Sequence, residues 1–162
     1  MRRIVLLLEE RSMKNFLEVL LPRLFPTLRF LCIPHSGKSD LEKSIPNKLK
    51  GWNVSGDCFV ILRDNDNGDC RVIKRKLADL CRKGGREDSL VRLACQELES
   101  WFLGDLKALG ECYGIALRVG QRQKAYRDPD NLGNPSEQIK KLVPAFQKYE
   151  GARRLGMVLH PE

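Results

Sequence analysis

The chain has no apolar run approaching the roughly 18 residues that a membrane-spanning helix needs; Ile4–Leu8 is far too short. Nor does its start read as a secretory signal, because Glu9 and Glu10 interrupt the apolar stretch before any small-residue cleavage site. Histidine is scarce, and His35 and His160 have no cysteine partners at zinc-ligand spacing. The six cysteines (32, 58, 70, 81, 95 and 112) include no Cys-x-x-Cys pair. Cys32, Cys58 and Cys95 lie in apolar runs, where a thiol behaves as a small hydrophobe. Internal repeats, low-complexity blocks, helix-turn-helix elements and zinc modules are all missing, which argues against sequence-specific reading of DNA. A cytoplasmic protein with reduced thiols is the expectation.

What is present suits one packed domain over 1–162, with a core at about 3–115 and a basic loop and helical extension at about 116–162. Hydrophobic residues make up 42% and charged residues 31%, enough apolar surface to bury a core. Lys and Arg number 29 against 21 Asp and Glu, a net charge of +8 that favours polyanionic partners. The excess is uneven: Arg118–Arg154 carries nine basic residues against four acids, and Arg71–Arg86 seven against one.

The apolar pattern alternates between strand and helix. Ile4–Leu8, Leu28–Ile33, Cys58–Leu62 and Leu90–Cys95 read as strands, the first as a run covered on both faces. Between them Met13, Phe16, Leu17, Leu20, Leu21 and Leu24 recur at helical spacing after a Ser12 cap. Pro22 and Pro26 are expected to bend or end that helix. Ser39 with Glu42 reads as a capping box for a helix striped by Leu41, Ile45 and Leu49, with Pro46 set awkwardly inside it. Cys70, Ile73, Leu77 and Leu80 mark a third helix, stopped by Gly84-Gly85. Glu97–Leu103 and Leu106–Tyr113 follow as helices, then a polar loop from Gly120 to Asn134 and a final helix from Ser136 to about Val143. This order predicts an α/β fold, a parallel four-stranded sheet flanked by helices with a basic helical C-terminal portion.

In such sheets the functional crevice lies beyond the carboxyl ends of the strands. Glu9-Glu10, His35 to Lys38, Asp64-x-Asp66 and Glu97-x-Glu99 each follow a strand, so acids gather at one edge. Asp64, Asp66 and Asp69 put three carboxylates into six residues. Like charges this close call for a neutralising cation or proton; hard oxygen ligands suit Mg²⁺ or Mn²⁺. The alternative is a solvated turn, which Asp, Asn and Gly also favour. Calcium of the EF-hand type does not fit: counting from Asp64, Gly68 is fifth and Arg75 twelfth. Gly37-Lys38-Ser39 ends like a P-loop but lacks the earlier glycine.

Leu8-Glu9-Glu10-Arg11-Ser12 after a first strand, with Val60-Ile61-Leu62-Arg63-Asp64-Asn65-Asp66 after a third, resembles the Toprim domain of topoisomerases, primases and OLD-type nucleases. Glu9 matches the Glu of its first motif and Ser12 the hydroxyl, whereas Met13 and Lys14 stand where an acid is common. Asp64 and Asp66 match its Asp-x-Asp. Most of the chain is also similar to a bacterial family of stand-alone Toprim-like proteins, often encoded beside AAA-type ATPases in mobile-element defence loci. Asp64–Cys70, Glu97–Asp105, Arg127–Asp130 and Gln147–Arg153 carry that similarity.

The resemblance implies a Toprim-like (Rossmann-like) fold and a nuclease cleaving phosphodiester bonds in DNA or RNA. It implies a metal site of Glu9, Asp64 and Asp66, with Asp69, Glu10 or Glu99 assisting, where a divalent ion orients water and stabilises the leaving oxygen. Glu9 is either ligand or general base; of Glu97 and Glu99, the second is favoured for the crevice. His35 and Lys38 are placed to contact the scissile phosphate, and Lys124, Arg127, Lys148, Arg153 and Arg154 to contact a nucleic-acid backbone. An AAA-type ATPase is the implied partner. A Toprim-like module that binds nucleic acid or an ATPase without catalysis is the alternative.

Overall fold

In the computed structural model, which describes residues 3–117 and 126–160, four strands form one parallel sheet in the order β2-β1-β3-β4. They are β1 (Ile4–Leu8), β2 (Phe30–Pro34), β3 (Cys58–Asp64) and β4 (Leu90–Ala94). The helices are α1 (Arg11–Leu24), α2 (Lys38–Lys50), α3 (Cys70–Lys83), α4 (Glu99–Leu103), α5 (Leu106–Tyr113), α6 (Pro135–Leu142) and α7 (Lys148–Val158), with a 3₁₀ turn at Pro129–Asn131. Among the described residues no helix is long and apolar enough to cross a membrane.

The continuous apolar run of β1 has a simple cause: both faces of the sheet are covered. Val5 and Leu7 point into a core shared with Leu41, Ile45 and Leu49 of α2 and Leu77 and Cys81 of α3. Leu6 and Leu8 point the other way, into a larger core built by α1 and all helices from α4 onward. Strand periodicity thus sorts neighbouring residues onto opposite layers.

Local signals give way to packing at several helix ends. Ser12 lies inside α1, not at its cap; it is buried and its hydroxyl donates to the Glu10 carboxylate. Pro22 and Pro46 sit within α1 and α2 without ending either. A proline inside a helix costs about 3 kcal/mol, but burying Leu41, Ile45 and Leu49 stabilises α2 by roughly 1.5–3 kcal/mol each, and the packing wins. The Ser39/Glu42 capping box does not form: α2 starts from Gly37 at φ 100°, and Glu42 turns to Arg63 and Lys76.

The largest departure from the sequence reading is α7, an additional helix beyond α6. It packs along α1, and Gly156 allows the close approach: a Cβ there would lie 2.7 Å from the Phe16 carbonyl oxygen. Arg23 closes its far end, donating to the Gly156 carbonyl at 2.6 Å, and Asn15 donates to that of Tyr149 at 3.2 Å.

Candidate functional site

The sheet register sets the site. Leu8 is level with Pro34 on one side and Leu62 on the other, so Glu9 emerges at the centre of the carboxyl edge. Its backbone is fixed from two neighbours: its N–H donates to Leu62 at 3.1 Å, and its carbonyl accepts Gly37 N–H at 2.9 Å. Its carboxylate accepts the Asp64 N–H at 3.0 Å. Glu9 therefore bridges β1 to the end of β3.

From that bridge the strand alternation sends two charges to opposite layers. Arg63 turns toward α2, where its buried guanidinium donates to Glu42 at 3.0 Å and lies 3.6 Å from Asp66 and 3.7 Å from Glu9. Asp64 turns toward α4 and α7, where the charges acting on it come from Glu9, Glu99 and Glu10, opposed by Lys148. Asp64 is 5% exposed and Glu99 1%. Asp64 Oδ1 and Glu99 Oε2 are buried with no hydrogen-bond partner, the costly condition for a carboxylate.

The acid–base properties follow. Burial first, then repulsion from Glu9, Glu99 and Glu10, pushes Asp64 up to about 8. Burial likewise raises Glu99, with Lys148 opposing, and raises Glu9 against the opposing Asp64 N–H and Arg63. Lys148 donates to Glu10 at 2.7 Å; burial pulls its pKa down, but Glu10, Glu99 and Asp64 outweigh it and the net change is upward. Four acids and one lysine thus form a cluster with an excess of negative charge.

The family model described as "Domain of unknown function (DUF4276)" matches residues 8–160. The chain belongs to that family. None of the curated proteins compared with the chain matches it. Among solved structures, the C-terminal region of the Burkholderia pseudomallei OLD protein is similar, with a TM-score of 0.57 and 19% identity, over 95% of this chain and 87% of that one. The C-terminal region of the Xanthomonas campestris pv. campestris OLD protein is similar at a TM-score of 0.55 and 16% identity, over 98% and 86%. At such identities the likeness is one of fold, and it bears out the Toprim-like α/β fold expected from the sequence.

The remaining residues singled out in the sequence fall into separate groups. Asp66, at φ 48°, pairs with Lys38 at 3.2 Å on the surface. The Asp69 carboxylate accepts Arg71 N–H at 2.8 Å and Val72 N–H at 3.2 Å, which makes it the N-cap of α3. An Asp directly before an amphipathic run is itself the sequence signal for that role. Glu97 accepts Ser136 N–H at 2.8 Å and anchors the start of α6, leaving Glu99 in the crevice. His35 turns inward, its Nδ1 2.8 Å from the Leu8 carbonyl oxygen, which ties β2 to β1.

Lys148, a candidate phosphate contact in the sequence, is drawn into the acidic cluster by its pair with Glu10 at 2.7 Å. Arg154 lies 3.5 Å from Glu150 with its guanidinium over the Tyr113 ring, while Arg127 and Arg153 are exposed. Lys124 lies outside the described residues. Trp101 and Trp52 pack on Phe16 and Phe59. Arg63 is the member of the site that the sequence pattern does not announce: a charge ending an apolar strand reads as its exit to solvent.

Proposed function

We propose that the chain is a nuclease that uses Mg²⁺ or Mn²⁺ to cleave phosphodiester bonds in DNA or RNA. One observation carries the reading: two buried carboxylate oxygens, Asp64 Oδ1 and Glu99 Oε2, have no hydrogen-bond partner, and the Glu99 charge acts on Asp64 at the carboxyl edge of a Toprim-like sheet. Among the described residues no three His, Cys, Asp or Glu side chains are set together to hold an ion. Mg²⁺ does not need three; it is commonly held by one or two carboxylates, with water and substrate phosphate completing its shell. Asp64 and Glu99 supply those oxygens, and Asp66 is the next candidate once Lys38 lets it go.

Bound there, the ion would supply Lewis acidity toward the phosphoryl oxygens. The chain's own groups do the rest. Glu9 has its pKa raised by burial and is fixed by the Asp64 N–H, which suits it to take a proton from attacking water. Arg63 pairs with both Glu9 and Asp66 from inside the fold and offsets their mutual repulsion. Lys38 is largely exposed, and its surface pair with Asp66 is weak enough to exchange for a substrate phosphate. His35 positions the strand ends. The net charge of +8 supports a nucleic acid as substrate despite the acidic crevice. The resemblance adds an AAA-type ATPase as working partner in mobile-element defence.

The test is cleavage of labelled DNA and RNA with Mg²⁺ or Mn²⁺. Asp64→Asn and Glu99→Gln should abolish cleavage, and Glu9→Gln should lower kcat by roughly 10²-fold or more. Undiminished cleavage by Asp64→Asn would refute the site. Binding without cleavage, with any metal and with the ATPase present, would leave a nucleic-acid-binding module.

A further inference from the structure

A cleft of about 750 Å³ runs between α1 and the start of α7, walled by Arg11, Asn15, Glu18 and Val19 on one side and by Gln147 to Glu150 with Arg153 on the other. Its α1 wall is a stripe at helical spacing, and Asn15 fixes the opposite wall through the Tyr149 carbonyl. Lys148 belongs both to this cleft and to the acidic cluster through Glu10, so one side chain joins the two.

The charges inside it do not cancel one another locally. Glu18 lies 3.7 Å from Lys14 and Glu150 3.5 Å from Arg154, cations outside the cleft, and Lys148 is taken by Glu10. Arg11 and Arg153 are exposed, and among the described residues neither pairs with a carboxylate. Tyr149, lining the same cleft, is 53% exposed, a large ring without a packing partner sufficient to cover it. Two open guanidinium groups in one cleft with a bare aromatic ring match one ligand chemistry: a phosphodiester backbone carrying accessible base faces. A duplex hides those faces in its stack; a single strand presents them.

We propose that this cleft is the track for a single nucleic-acid strand, with Arg11 and Arg153 on phosphates and Tyr149 under a base, leading the strand past Lys148 to the acidic crevice. This names the strand state of the substrate and rests on the nuclease reading only for what happens at the crevice; binding itself needs no metal.

Fluorescence anisotropy with a labelled single strand and the matching duplex, in EDTA, tests it on the intact chain. The single strand should bind more tightly than the duplex. Tyr149→Ala should weaken it about tenfold while Tyr149→Phe does not. Arg11→Gln with Arg153→Gln should make the plot of log affinity against log salt about 1.4 less steep. Circular dichroism verifies that each variant is folded. Tighter binding of the duplex, or unchanged single-strand binding by folded Tyr149→Ala and by the double arginine variant, would overturn the track. Loss of cleavage in Asp64→Asn with binding intact separates this proposal from the nuclease reading.

Discussion

At the scale of single residues, the acidic crevice is a conflict between burial and charge. Asp64 in the folded chain binds its proton up to about pH 8, whereas unfolded it releases it near the ordinary carboxylate value of about 4. Because the folded pKa is raised, the stabilising contribution is present below the unfolded value and is lost as pH rises through the folded one. Between about pH 4 and 8, therefore, the metal-free protein should steadily lose stability relative to Asp64→Asn, which carries no ionisable proton there. Thermal melts in EDTA should show the two alike near pH 4 and the variant more stable by roughly 5 °C at pH 8, since Glu9 and Glu99 share the strain. A gap that does not change across this range would contradict the assigned cause. Asp64 and Glu9 are legible in the sequence because parallel strands put all their carboxyl ends on one edge. Arg63 is not, because its partner Glu42 comes from a helix whose facing no local pattern announces.

At the scale of elements, propensity and packing part company most clearly in α7. Two glycines in eleven residues make Lys148–Val158 a poor helix by composition, and the apolar stripe is short. What the glycines give up in propensity they return as contact, since Gly151 and Gly156 let the helix lie against Phe146, Tyr113 and α1. Gly156→Ala tests which effect dominates. On propensity alone alanine would stabilise a helix by about 1 kcal/mol, yet its Cβ would stand 2.7 Å from the Phe16 carbonyl oxygen and 3.1 Å from Val19 Cβ. Urea denaturation should show the variant less stable by about 1–3 kcal/mol; a gain would mean that the two helices separate easily. The four strands and the first three helices are readable because their apolar periods are strong. Their caps are less so: Ser12 and Ser39 satisfy local rules but are displaced by the layers they pack between.

At the scale of the whole molecule, a basic protein holds four of its acids in one place. The sheet gathers Glu9 and Asp64, α4 adds Glu99, and α7 closes the cluster with Lys148. Folding thus brings into contact groups 138 residues apart (Glu10 to Lys148), and no short motif encodes that meeting. The parallel sense of the strands follows from the alternation of elements; the lysine's place follows only once α7 is seen to pack on α1. Isothermal titration of Mg²⁺ or Mn²⁺ into the protein at pH 8 addresses the cluster most directly. Wild type should bind one ion with proton release from Asp64, and Asp64→Asn and Glu99→Gln should each weaken binding by about tenfold or more. Equal affinity in all three proteins, or no binding to wild type, would contradict a cation site built on these two carboxylates.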